Sequence, residues 1–239
     1  MAAIAPTKRT MPAPRKVPGF CVQAYQKNTV TAGPPKTKKK PVGSTAVRTE
    51  FSILYGSPGF PLAVGSAGRV RWLIPVASVD YNVYLPLLFL GLREPAHPYG
   101  TCAALALRDM LDEPDCGCRV LEALPKIVFP IRQALDTGHW PIVVRTLKSL
   151  QKCATSDQMV GKALVPYYRQ LLPPINKYLS IDEEVSDGLE ANSRVNVMDL
   201  CAETLAVLER TGGSCAYINM KYVIPTYERA GGVPRNSCP

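Results

Sequence analysis

Prolines recur inside hydrophobic stretches of this chain at an interval of about forty residues. Pro86, Pro125, Pro166 and Pro225 each interrupt such a stretch, and the intervals between them are 39, 41 and 59 residues. A proline in a helix interior removes a backbone hydrogen bond and costs about 3 kcal/mol. Its return at a nearly fixed interval therefore indicates a repeated structural unit.

Leucine-rich helical patterns keep the same period. Leu107, Leu147 and Leu205 each lie in a pattern of the form Leu-x-x-Leu/Met, at intervals of 40 and 58 residues. Two independent landmarks with one period are typical of stacked helix pairs, which bury their apolar sides only against neighbouring pairs. The sequence predicts an all-α fold, a short armadillo/HEAT-like α-solenoid, in which the prolines kink one helix of each pair. The alternative is that each proline marks the first turn of a shorter helix.

The positive charge is concentrated in an amino-terminal arm, residues 1–48, whereas the remaining residues, the body, are nearly neutral overall. The 239 residues carry a net charge of +9, yet residues 1–48 hold ten Lys or Arg and no acid, while the remainder has 18 bases and 19 acids. The arm contains seven prolines up to Pro41 and few apolar residues. Burial of so few apolar side chains cannot offset the conformational entropy that the arm would lose on folding. We expect an extended basic arm at 1–48, an irregular capping segment at 49–79 and the helical repeats at 80–230.

Within the repeats, apolar spacing predicts the individual helices. The expected helices cover residues 80–92, 101–111, 121–135, a segment opening at Trp140, a long helix from Thr155 through Ile175, and a last pair at 195–209 and 216–229. Thr155 and Gln158 have the spacing of a capping box. An acidic loop inserted at 180–193 explains the longer last interval.

The sequence contains few residues or motifs that would support catalysis. Only two histidines are present, and there is no Gly-rich phosphate loop, nucleophile elbow or metal-binding helix motif. Cys116 and Cys118 form one close pair without a second pair at zinc-site spacing, so the eight cysteines are expected to be thiols. The sequence predicts a protein that is not an enzyme and has no cofactor. The longest apolar run, residues 83–92, is too short to cross a membrane.

The basic arm is the strongest candidate for partner binding. Nucleic acid and the acidic surface of a cytoskeletal polymer are the two partners that such a charge suits. Only Phe20 and Tyr25 in the arm could stack on bases, which makes nucleic acid the less favoured partner. Two other functions stay open on the residues alone, an armadillo-type peptide-binding adaptor of the cytosol and a basic RNA-associated protein. The candidate partner-binding residues of the arm are Arg15, Lys16, Lys36, Lys38, Lys39 and Lys40.

One segment carries a specific family resemblance. Residues 159–173 read Met-Val-Gly-Lys-Ala-Leu-Val-Pro-Tyr-Tyr-Arg-Gln-Leu-Leu-Pro, which closely resembles the Parkin co-regulated proteins of motile cilia and flagella. The resemblance covers about residues 19 to 228. It continues in Phe51 to Leu62, Tyr84 to Leu87, Ile127 to Ala134 and Tyr217 to Glu228.

This resemblance implies a structural function. Proteins of that family have an armadillo/HEAT-like fold and sit at the inner junction of doublet microtubules, where the B-tubule closes onto the A-tubule. They alternate with a small β-rich partner protein, contact tubulin of both tubules, and have no enzyme activity or cofactor. The resemblance therefore favours tubulin over nucleic acid and implies a location in the cytoplasm, in the cytoskeleton of the ciliary axoneme. Tyr167 and Arg169 are the candidate contact residues of the body, because such residue types are favoured at interfaces, whereas Tyr168 falls on the expected core stripe.

Overall fold

The chain divides into two compact units, Met1–Gly43 and Ser44–Pro239. The computed structural model describes residues 14–17, 22–31, 48–64, 70–179 and 188–229. In the first unit, strand β1 (Arg15–Val17) pairs in parallel with strand β2 (Thr29–Thr31), and a 3₁₀ turn at Val22–Tyr25 lies between them. The described part of the arm thus contains a short strand pair.

The second unit opens with a short helix and a hairpin, where the sequence predicted an irregular capping segment. Helix α1 (Glu50–Tyr55) is followed by strands β3 (Leu62–Val64) and β4 (Val70–Trp72), which pair antiparallel. The Phe51 ring is fully buried, and its centroid lies 5.9 Å from that of Phe60. These aromatic rings give the first helix pair an apolar cover.

The remaining helices alternate between two layers along the chain. In the first layer α2 packs against α4, α4 against α7 and α7 against α9; in the second layer α3 packs against α5 and α5 against α8. The fold is mostly helical, as the sequence predicted. The helices are α2 (Tyr81–Gly91), α3 (Tyr99–Asp112), α4 (Gly117–Leu135), α5 (Trp140–Ser156), α6 (Gln158–Leu164), α7 (Tyr168–Leu179), α8 (Gly188–Gly212) and α9 (Ala216–Val223).

The proline positions agree with the prediction in the first half of the body and depart from it in the second. Pro86 and Pro125 lie inside α2 and α4, as predicted. The long helix expected across Pro166 is wrong, because Val165–Tyr167 forms a 3₁₀ turn that separates α6 from α7. Proline is readily accepted in a first turn, where its missing N–H has no intrahelical partner.

The last helices also differ from their predicted limits. Helix α9 ends at Val223, so Pro225 follows a helix instead of lying inside one that extends to residue 229. Helix α8 begins at Gly188, which makes residues 188–193 of the expected acidic loop helical, while residues 180–187 lie outside the described part of the chain. The cap of α6 is Asp157, whose side chain accepts the Met159 N–H at 2.6 Å, and not Thr155.

Hydrogen bonds between neighbouring helices repeat the forty-residue period. The Asn82 amide donates to Glu122, the Arg93 guanidinium to Gln133 and the Tyr168 hydroxyl to the Leu208 carbonyl, and each pair is 40 residues apart in the sequence. The first bond joins α2 to α4, the second joins a residue just after α2 to α4, and the third joins α7 to α8. The α2–α4 contacts lie within one layer, whereas the α7–α8 contact joins the two layers.

A buried carboxylate ties the start of α1 to the helical body. Glu94, only 3% exposed, accepts the Thr49 N–H at 2.6 Å, and Thr49 in turn caps α1 by accepting from the Ser52 N–H. Arg145 of α5 donates to the backbone carbonyls of Leu92, at 2.8 Å, and Glu94, at 2.5 Å. Burial alone would raise the pKa of Glu94, but the hydrogen bonds from Thr49 and Ser52 outweigh it and lower that pKa.

We expect Glu94→Gln to lower the free energy of unfolding by about 1–2 kcal/mol at pH 7, because a charged acceptor of a buried N–H becomes a neutral one. The folded-state pKa of Glu94 lies below 4.5, so its contribution is complete above that pH and is lost as the pH falls through the folded-state pKa. Urea unfolding across pH should therefore show the two proteins converging in acid.

The exposed Glu122, which accepts from Asn82, provides the matched control for Glu94. Glu122→Gln should change the free energy of unfolding by less than about 0.5 kcal/mol at either pH. A constant difference between wild type and the Glu94 variant down to acid pH would contradict the role assigned to the buried carboxylate.

We expect Gly212→Ala to destabilise the protein by about 1–3 kcal/mol through overpacking. A Cβ atom at Gly212 would lie 2.7 Å from the Tyr168 hydroxyl, which donates to Leu208, and 2.7 Å from the Ala216 Cβ. Gly56→Ala is the control, since its nearest neighbour would lie at 4.0 Å, and it should change stability by less than about 0.5 kcal/mol. Thermal unfolding of both variants measures the contrast, and equal midpoints would show that the α7–α8 contact is loosely packed.

Candidate partner-binding surfaces

The 3₁₀ turn at Val165–Tyr167 determines which way three successive side chains face. Tyr168 points into the core, with 1% of its surface exposed, and its hydroxyl donates to the Leu208 carbonyl at 2.8 Å. Tyr167 is half-buried and packs against the core, whereas Arg169 is exposed. Of the two predicted body residues, Arg169 is therefore available to a partner and Tyr167 is only partly so.

Arg169 forms part of a mixed aromatic and cationic surface. Its guanidinium carbon lies 5.1 Å from the ring centroid of Tyr222 on α9, within the range of a cation–π contact. Tyr222 is 73% exposed, and Ile218, one helical turn earlier, is 59% exposed. We call Arg169, Ile218 and Tyr222 the α7–α9 surface.

A hydrogen-bonded network holds the chain after α9 against α8. The Glu209 carboxylate accepts the Tyr227 hydroxyl and the Arg229 Nε, both at 2.9 Å. The Arg229 guanidinium also lies over the Tyr217 ring, 4.4 Å from its centroid. Burial and the neighbouring Glu209 raise the pKa of Tyr227, which keeps its hydroxyl a hydrogen-bond donor. This network thus fixes the position of α9, the helix that carries Ile218 and Tyr222.

The sequence missed Ile218 and Tyr222 as surface residues. Both are apolar or aromatic residues inside a helix, and such residues are usually assigned to the core. Their spacing of four residues places them on one face, while the buried residues of α9, Ala216 and Met220, lie on another. Apolar residues on a second face of α9, away from its buried face, are the sequence signal that could have identified these surface residues.

The predicted arm residues occupy a different unit. Arg15 and Lys16 lie on β1 and are exposed. Lys36, Lys38, Lys39 and Lys40 lie outside the described residues. The body residues Tyr167 and Arg169 belong to the second unit, so two separate sets of candidate contacts exist.

The described residues contain no arrangement suited to metal chemistry. Among them, no group of three or more His, Cys, Asp or Glu lies close enough together to hold a metal ion. The thiol of Cys116 is buried while that of Cys118 is exposed, so this sequence pair does not share one environment. His97 and His139 are both exposed and lie between helices.

Membrane insertion has no candidate segment in the described chain. A helix must be both long and apolar to cross the hydrocarbon core of a bilayer. Across the described ranges, none of the helices meets both requirements.

Comparison with known proteins identifies relatives of the whole helical body. The family model described as "Parkin co-regulated protein" matches residues 49–229. The chain is 39% identical over 218 residues to the Parkin coregulated gene protein homolog of Mus musculus, and the match covers 88% of each chain. Every helix described above from α1 to α9 lies within the matched residues. On this basis the chain belongs to the Parkin co-regulated protein family.

Proposed function

We propose that this protein is a structural microtubule-associated protein of the axoneme. It bridges the A- and B-tubules at the inner junction of doublet microtubules in motile cilia and flagella, and supports their stability and motility. The observation that carries this proposal is membership of the Parkin co-regulated protein family over residues 49–229. The bridge is a binding function and requires no catalytic site.

The helical body is proposed to be a short armadillo/HEAT-like solenoid. Its support is the alternation of helices between two layers, in which each helix packs against the equivalent helix of the next unit. Two hydrogen bonds that link α2 and the residues after it to α4, each between residues 40 apart, agree with this repeat length. Such a stack presents side chains in rows along its surface, which suits contact with a regular polymer.

The arm and the body are each proposed to make a different kind of contact with tubulin. Tubulin surfaces are acidic, so the lysines of the arm contribute long-range attraction that is screened by salt. The α7–α9 surface supplies a contact that depends on shape, because Tyr and Arg side chains anchor interfaces through large buried areas. The proposed partners are α/β-tubulin and a small β-rich junction protein, and the proposed location is the cytoskeleton of the cilium or flagellum.

Replacing Lys36, Lys38, Lys39 and Lys40 by Ala should weaken association with microtubules about tenfold at low salt, because exposed charge contacts contribute up to about 1 kcal/mol each. The remaining binding should depend less on ionic strength. Cosedimentation of the full-length protein with stabilised microtubules across a salt series measures both effects.

The matched control removes four exposed positive charges of the body, by replacing Arg71, Lys126, Lys162 and Arg210 with Ala. If both quadruple variants lose the same affinity, net charge and not the arm drives association. Copurification of nucleic acid that disappears with the arm lysines would favour the RNA-associated function instead.

We expect Arg169→Ala and Tyr222→Ala each to weaken the same association by about 1–2 kcal/mol, the cost of removing an interface anchor. The salt dependence should remain that of the wild type, since the arm is intact. Leu73→Ala is the control, because Leu73 is also exposed, by 60%, but lies beside β4. Unchanged binding of the Arg169 and Tyr222 variants would exclude the α7–α9 surface from the interface.

Doublet microtubules give a direct test of the junction itself. Subtomogram averages of axonemes from cells that lack this protein should show an open gap where the B-tubule meets the A-tubule. Restoring the full-length protein should close the gap. A closed junction in the absence of the protein would contradict the proposed bridge.

A further inference from the structure

A groove with an apolar wall and a cationic rim lies between α3 and α5. Its volume is about 340 Å³. The α3 side is formed mainly by apolar side chains, among which Leu105 is half-buried and Leu107 and Leu111 are nearly buried. The α5 side contributes cations at positions 145, 148 and 152, whose spacing of three and four residues places them on one helix face.

The cations of the rim fall into two classes. Arg145 donates to the backbone carbonyls of Leu92 and Glu94, and Lys152 forms an ion pair with Asp112, so both already serve the fold. Arg108 and Lys148 are exposed, and neither forms an ion pair within the described ranges. Two positive charges therefore stand beside an apolar depression without a countercharge.

We propose that this groove binds an acidic amphipathic helical segment of another protein. Apolar side chains of that segment pack against Leu105 and Leu111, and its carboxylates pair with Arg108 and Lys148. The stretch from Ala104 to Leu111 spans about 10 Å at 1.5 Å per residue, which matches about two turns of a docked helix. Anchors at positions i, i+3 or i+4 and i+7 are typical of this mode of recognition.

The composition of the lining residues favours a peptide over a nucleic acid in this groove. Base binding generally uses aromatic side chains as stacking surfaces, and the lining residues include none. An amphipathic peptide uses the apolar wall, which a phosphate chain would leave unfilled.

The proposed groove shares no lining residue with the contacts proposed for tubulin. Its lining comes from α3 and α5, whereas the α7–α9 surface comes from α7 and α9, and the arm lysines belong to the first unit. The inference concerns a further binding site and does not depend on the microtubule function.

A designed peptide tests the groove in the full-length protein. The probe is a fluorescein-labelled helix of about 14 residues with Leu at positions i, i+4 and i+7 and Glu between them, in keeping with helix-in-groove anchors. Fluorescence anisotropy should show saturable binding to the wild type. The double variant Arg108→Glu/Lys148→Glu should weaken it at least about tenfold, and Leu105→Ala about fivefold, since both the charges and the wall contribute.

Control variants separate the groove from general electrostatic attraction. Arg71→Glu/Arg210→Glu makes the same change of net charge at exposed sites outside the groove and should alter the affinity less than about twofold. Circular dichroism and thermal unfolding establish that each variant is folded. A variant that fails to fold is replaced by Arg108→Gln/Lys148→Gln, for which a weakening of about fivefold is expected.

Several results would overturn the proposal. These are absence of saturable binding to the wild type, equal weakening by the groove and control pairs, and equal binding of a peptide with the same composition and scrambled leucines. Displacement of the probe by a single-stranded oligonucleotide at similar concentration would also overturn it, because it would indicate an unselective anion site.

Discussion

The apolar faces of neighbouring helix pairs can be buried only against one another, and the remaining features of the body depend on this constraint. At the centre, Ile127 and Ile131 of α4 and Val143 and Leu147 of α5 are completely excluded from water. Burial of such side chains contributes roughly 1.5–3 kcal/mol each. The buried Tyr81 hydroxyl in this interior is satisfied, because it donates to the Met110 carbonyl at 2.6 Å.

Apolar spacing and the hydrophobic stretches around the prolines predicted a mostly helical fold, which the structure has. Helices around Pro86 and Pro125 were predicted from the hydrophobic stretches that contain them, and both prolines lie inside helices. The 3₁₀ turn at Pro166 was not predicted, because the apolar stripe continues in register from α6 into α7 and conceals the break. The hairpin of β3 and β4 was missed because its strands are only three residues long.

Candidate surfaces were harder to derive because each is assembled from residues distant in the sequence. Arg169 was found, but its partner Tyr222 lies 53 positions later and is brought beside it only by the packing of α9 on α7. The groove between α3 and α5 combines Arg108 with Lys148, 40 positions apart. Pairs that lie 40 and 53 positions apart cannot be detected by sequence patterns that span ten to twenty residues.

The link between Thr49 and Glu94 has a consequence for the order in which the chain matures on the ribosome. Thr49 emerges 45 residues before the carboxylate that accepts its N–H, and Arg145, which holds the Glu94 carbonyl, follows 51 residues after that. At about 5–20 residues per second, helix α1 waits between about two and nine seconds for Glu94 alone. Until then the Phe51 side chain has no α2 beside it. The amino-terminal end of the body is therefore completed only after α2 and Glu94 have been synthesised, and the rate of translation sets the earliest time at which this happens.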